Sequence, residues 1–150
     1  MPLHPATKLE PINIPSCFSG ESEEDVRLQV RWLQEEFGLT DGFFANLLAV
    51  DERTFFEWKS GDRRLFKHRL DNIGELRITV MHILSSLDFN LELAHQVFEQ
   101  ETRKHPDPLY SPFVPPWNGT SMKAYLEANG RDGVTNMNRW WQHLRFGNSF

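Results

Sequence analysis

At 150 residues, 39% hydrophobic and 25% charged, the chain has the length and balance of one compact domain or of a core with a small appended lobe, which excludes two large domains and a disordered chain. Its net charge of −5 weighs against nucleic-acid binding unless a local basic patch neutralises phosphate. The lone Cys17 excludes an internal disulfide and a cysteine zinc cluster and reads as a buried or inert thiol. No apolar run approaches the ~20 residues that cross a bilayer, and the N-terminus has no basic segment followed by a hydrophobic one. A soluble, cytoplasmic protein without membrane contact is expected, in which the sequon-like Asn118-Gly119-Thr120 carries no sugar.

Residues 1–20 hold Pro2, Pro5, Pro11 and Pro15 without periodicity and read as an extended arm. Residues 21–104 read as a helical core. Its first helix opens at Ser22, whose hydroxyl is a capping oxygen, with Glu23, Glu24 and Asp25 on the positive end of the helix dipole. Val26, Val30, Leu33 and Phe37 form its apolar face, and Gly38 ends it. Two short helices follow between Thr40 and Lys59. The longest helix is expected to carry the stripe Ile73, Leu76, Val80, Ile83 and Leu87, with Gly74 weakening its first turn by roughly 1 kcal/mol. Another, from Leu91 to Arg103, buries Ala94, Val97 and Phe98. Residues 105–150 comprise a crossing stiffened by five prolines and a helical lobe. In that lobe Thr120 or Ser121 caps a short helix that stops near Asn129-Gly130. A last helix carries Val134, Met137, Trp141 and Leu144. No repeat or β-hairpin signal is present, so the fold class is all-α.

The stretch from Thr40 to Gly61 places a specific residue at each constrained position of a tight helix pair. Thr40 caps the first helix, and Ala45 is small where that helix meets its partner closely. Leu48 and Val50 bracket a turn whose Ala49 tends to a left-handed backbone. Asp51 caps the second helix, and Phe55 and Trp58, three apart, face the core and set the angle between the helices. Over residues 26–66 the chain resembles the Xre-type helix-turn-helix family, departing from its pattern at Ala49, where glycine is usual. The resemblance implies that the second helix enters the major groove of double-stranded DNA. The implied DNA-binding set is Thr40, Glu52, Arg53, Thr54, Phe56, Glu57, Lys59, Arg63 and Arg64. Arg53 would read guanine, Glu52 or Glu57 would accept from cytosine, and Phe56 would touch a thymine methyl. Asp51, Glu52 and Glu57 are three carboxylates on a surface that approaches phosphate. The cluster Lys59, Arg63, Arg64, Lys67, His68 and Arg69 is expected to offset them as a backbone clamp.

The C-terminal part, through Gly119, Leu126, Gly130, Val134, Leu144 and Gly147, is similar to the toxin-binding domain of Xre-like antitoxins. That similarity implies a toxin or other protein partner, for which Trp117, Trp140 and Phe146 are the expected contacts. Two functions follow: a sequence-specific transcriptional regulator of antitoxin type, or a protein-interaction module on the same scaffold. A homodimer is expected from the Ile73 to Leu87 stripe and the two-fold half-sites such readers bind. Glu92 and His95, with Glu99 one turn on, form one Glu-x-x-His, whereas di-iron bundles use two pairs and two further glutamates. They read as an exposed helix face, and His82 reads as a core or edge histidine. With no Gly-rich phosphate loop and no Gly-x-Ser-x-Gly elbow, no catalytic residue, metal or cofactor is expected, and the protein is not expected to be an enzyme.

Overall fold

The computed structural model describes residues 14–103 and 114–146, without the side chains of Ser16, Cys17, Arg145 and Phe146. The expectations for most of the proline arm, most of the crossing, the Cys17 thiol and the Phe146 contact lie outside the described residues. The fold is all-α. After a 3-10 turn, Ser16–Ser19, come α1 (Glu23–Phe37), α2 (Asp41–Leu48), α3 (Glu52–Lys59), α4 (Lys67–Ser86), α5 (Leu91–Glu99) and α6 (Met122–Phe146). No strand occurs among the described residues, and no helix among them is long and apolar enough to cross a membrane.

Local chemistry sets most of the helix ends. Ser22 Oγ accepts from the Asp25 N–H at 3.1 Å, and three acids occupy the first turn of α1, where the dipole favours them. Gly38, at φ 68°, closes α1 by returning its N–H to the Gln34 carbonyl. Ser121, rather than Thr120, caps α6, accepting from the Ala124 N–H at 3.0 Å. Within α6, Gly130 takes φ 55° and ψ −131°, so the element bends there into the two arms that the Asn129-Gly130 stop anticipates.

Two ends differ from the sequence expectation. α4 begins at Lys67, ahead of its apolar stripe, so Lys67, His68 and Arg69 belong to a helical turn and not to a loop. α5 stops at Glu99, four residues before Arg103, because Gln100 turns extended and the following strand of chain is tied to the Trp117–Thr120 turn. There the Thr102 N–H donates to the Thr120 carbonyl at 2.9 Å, and the Thr102 hydroxyl accepts from the Gly119 N–H at 2.9 Å. These tertiary bonds replace the helical ones.

One core joins all six helices, with Leu33, Phe44, Trp58, Ile83, Phe98 and Val134 among its fully enclosed side chains. The stripe expected to pair two copies is consumed inside it: Ile73, Leu76, Val80 and Ile83 are buried against the protein's own helices. Trp117, expected at a partner surface, is likewise a core residue at 4% exposure. It packs edge-on against Trp140, centroids 4.9 Å apart, and lies 6.4 Å from buried Trp141. The half-buried Trp140 is the member of this cluster that reaches the surface.

Candidate nucleic-acid interface

The α2–α3 pair is built around a turn that needs a left-handed residue, and Ala49 supplies it at φ 59° and ψ 44°. An alanine there costs about 1–2 kcal/mol relative to an unstrained backbone. Side chains of α4 hold the turn. Arg69 Nη1 donates to the Leu48 and Ala49 carbonyls at 3.1 and 2.6 Å, and Asn72 Nδ2 donates to the Leu47 carbonyl at 2.8 Å. Arg69 is therefore a strut of the turn.

Asp51 caps α3, its carboxylate accepting the Thr54 N–H at 2.7 Å; that bond holds the exposed Asp51 carboxyl below its ordinary range. Phe55 stacks on Phe44 with centroids 5.9 Å apart, and Phe55 and Trp58 are both at 0% exposure. α1 grips the other end. Trp58 Nε1 donates to Glu23 Oε2 at 2.9 Å, the Arg27 guanidinium lies 5.5 Å over the Trp58 ring, and Arg27 Nε donates to the Trp58 carbonyl at 2.6 Å. Glu23 also accepts from the Leu65 N–H and from Arg64 Nε, at 2.9 and 3.1 Å. Burial pushes the Glu23 carboxyl up, but the Leu65, Arg64 and Trp58 donors and the Arg27 charge outweigh it and leave the pKa lowered.

With its inner face pinned, α3 presents Glu52, Arg53 and Phe56 to solvent, while Thr54 and Glu57 are half-buried. Glu57 sits between two arginines: Arg53 Nε is 3.4 Å from Oε2 and Arg63 Nε is 3.0 Å from Oε1. Surface pairs of this kind are worth about 0–1 kcal/mol, so both guanidiniums exchange partners readily. Arg53 is 88% exposed and Arg64 89%. Among the described residues Glu52 has no cation beside it, and it is the carboxylate left to seek a donor.

Two residues of the expected DNA-binding set are engaged elsewhere. Lys59 turns inward, its Nζ donating to Gln34 Oε1 at 2.9 Å and to Asp41 Oδ1 at 3.3 Å, 5.3 Å from the Phe55 centroid. The Gln34 amide, ahead of opposing burial, and then Lys59 hold the Asp41 carboxyl below its ordinary range. Thr40 caps α2, accepting from the Phe43 N–H at 3.1 Å, but its own N–H and hydroxyl both donate to the carboxylate of Glu127 on α6. Sequence reasoning missed Glu127, because nothing local signals a contact spanning 87 positions.

His95 Nε2 lies 3.2 Å from Glu36 Oε1 and its ring meets Phe37 edge-on, while Glu92 and Glu99 are exposed. No group of three or more His, Cys, Asp or Glu able to hold a metal ion occurs among the described residues. Comparison of the chain with protein-family models, curated proteins and solved structures finds no match in any of the three.

Proposed function

We propose that the α2–α3 pair is a helix-turn-helix of Xre type and that the protein is a sequence-specific binder of double-stranded DNA, acting as a transcriptional regulator. The observation that carries this reading is α3 itself. It is a short rod locked by Phe55 and Trp58 at 0% exposure, with Arg53 and Phe56 open to water and Arg63 beside them. Such a rod fits the major groove, where Arg53 reads guanine, Glu52 accepts from cytosine and the exposed Phe56 meets a thymine methyl.

Selection from randomised duplexes followed by binding across a salt series tests the reading. A preferred sequence is expected, with affinity falling steeply as salt rises. Arg63→Ala and Arg64→Ala each reduce the salt slope by about 0.9 where the residue neutralises one phosphate. Arg53→Ala relaxes preference at one position, a loss of about 1–3 kcal/mol of discrimination. Absence of any enriched sequence and of salt-dependent duplex binding would falsify it.

The second reading is a protein-interaction module, of which a toxin-binding antitoxin is one form. Two observations favour it: Glu127 occupies the Thr40 donors, and Trp140 brings the edge of an indole cluster to the surface. A partner bound through Trp140 responds to Trp140→Ala and only weakly to salt, the opposite of duplex binding. A homodimer is a separate proposal resting on two-fold DNA sites alone; a monomeric mass on an isolated palindromic site would remove it.

A further inference from the structure

α4 has a second apolar face. Its inward stripe is spent on the core, while Ile78, Met81 and Ser85, spaced by three and four, line a groove on the outward side together with Phe18, Phe89 and Arg77. The groove holds about 340 Å³ and is open to solvent. Ile78 is 47% exposed and Phe89 39%. Single exposed apolar side chains are ordinary on a protein surface, but two large ones on a shared groove form a patch of the kind that marks a contact.

Phe89 reaches the groove through a strained corner. Asp88 and Phe89 follow the end of α4 at φ 54° and 58°, a backbone region bulky residues rarely adopt, and the Phe89 N–H returns to the Leu84 carbonyl at 2.7 Å. Glycine is usual at such a turn, yet the chain keeps an acid there and an exposed ring beside it. The other end of the groove carries the opposite charge. Half-buried Arg77 donates from Nη1 to the Gly20 carbonyl at 3.2 Å and to Gln29 Oε1 at 3.4 Å. Among the described residues no carboxylate lies within 4.0 Å of its guanidinium, and exposed Asp88 has no cation within that distance. A surface with an unpaired cation at one end and an unpaired anion at the other complements itself when turned about a two-fold axis. Two α4 helices laid antiparallel set Arg77 against the partner's Asp88, Ile78 against the partner's Phe89 and Met81 against the partner's Ser85. All three pairs are centred within half a position of Ile83. The large Met81 facing a small serine lets the helices approach.

We propose that the occupant of this groove is a second copy of the protein, in an isologous dimer whose two-fold axis crosses α4 near Ile83. The apolar centre supplies the affinity, and the Arg77–Asp88 pairs at its two ends fix the antiparallel register. This dimer forms without DNA, so it goes beyond the DNA-binding reading and does not rest on it. Arg69 and Asn72 of the same helix hold the α2–α3 turn, and pairing through α4 therefore joins two α3 rods in one particle.

The test is sedimentation equilibrium of the full chain, free of DNA, as wild type, Arg77→Glu, Asp88→Arg and Ile78→Asp, with helicity checked by circular dichroism. The wild-type mass is expected to climb from 17.6 kDa toward twice that value as concentration rises through the micromolar range. Each variant should weaken association by about tenfold or more. An equimolar mixture of Arg77→Glu with Asp88→Arg should recover it, because in the mixed dimer one end pairs the two introduced charges and the other end pairs the two native ones. Asp88→Arg and Ile78→Asp alter exposed side chains, so they remain informative should Arg77→Glu lose its bond to Gly20 and fold poorly. A wild type that stays monomeric overturns the proposal and leaves the groove to a ligand or to residues 1–13 of the chain itself. A dimer indifferent to Asp88→Arg and Ile78→Asp overturns it in favour of another face. Weakening by the single variants without recovery in the mixture of two folded proteins overturns the antiparallel register.

Discussion

Glu23 illustrates how much one side chain contributes to holding α3. Its carboxylate, 13% exposed, collects Trp58 Nε1, the Leu65 N–H and Arg64 Nε, with Arg27 3.6 Å away. Its folded pKa lies below the ordinary 4.5, so the stability it gives is fully present above that value and is lost as pH falls through the lowered one. Unfolding followed by far-ultraviolet circular dichroism should therefore show a stability loss below pH 4.5 that Glu23→Gln reduces, the lowered Asp41 and Asp51 carboxyls supplying the rest. At neutral pH the same substitution should cost about 1–3 kcal/mol, since it weakens charge-assisted bonds at a mostly enclosed site. An unaltered acid limb in the variant would show that Glu23 is not the titrating group. The local reading had placed Glu23 only as a dipole-compensating acid of α1. Helical periodicity places Arg27 one turn on, but Trp58, Arg64 and Leu65 come from 35, 41 and 42 positions away, and no local pattern signals them.

Element by element, legibility follows the locality of the forces. The backbone of the α2–turn–α3 unit was readable: Thr40 and Asp51 cap and Ala49 is left-handed through neighbours within a few residues, and the spacing of Phe55 and Trp58 marks the face that points inward. The start of α4 was not, since Lys67, His68 and Arg69 offer no apolar period and no capping side chain precedes them. Nor was the end of α5, which Thr102 decides through the distant Trp117–Thr120 turn. The basic cluster divides on the same principle: composition locates it, but only packing shows that Lys59 and Arg69 face inward while Arg53, Arg63 and Arg64 reach solvent. That division is measurable. Arg69→Ala leaves the Leu48 and Ala49 carbonyls without their donor and should destabilise the fold by about 1–3 kcal/mol in chemical denaturation. Arg64→Ala, lacking such a role, should stay within about 0.5 kcal/mol of wild type. Equal effects would mean that Arg69 is not a strut.

For the molecule as a whole, the all-α class and the bend at Gly130 were legible, whereas the way the C-terminal arms close on the rest was not. The lobe expected as an appendage contributes Val134 and Met137 at 0% exposure to the shared core, and it brings Glu127 to the Thr40 N–H at the start of α2. Trp117 was read as a docking contact, yet like Trp141, which the apolar stripe of the last helix had placed inward, it fills the space beneath the second arm. The indoles of Trp117, Trp140 and Trp141 lie 4.9–6.4 Å apart, close enough for their electronic transitions to mix. Attachment of the C-terminal half should therefore leave a mark in the near-ultraviolet circular dichroism, where fixed, mutually packed indoles give rotational strength that a loosened cluster loses. Titration with urea should erase that near-ultraviolet signal and the far-ultraviolet helical signal at one midpoint, as a common core demands. Two separated midpoints would reveal a hinge that opens before the body melts, and would give the protein an optical gauge of its own uncoupling.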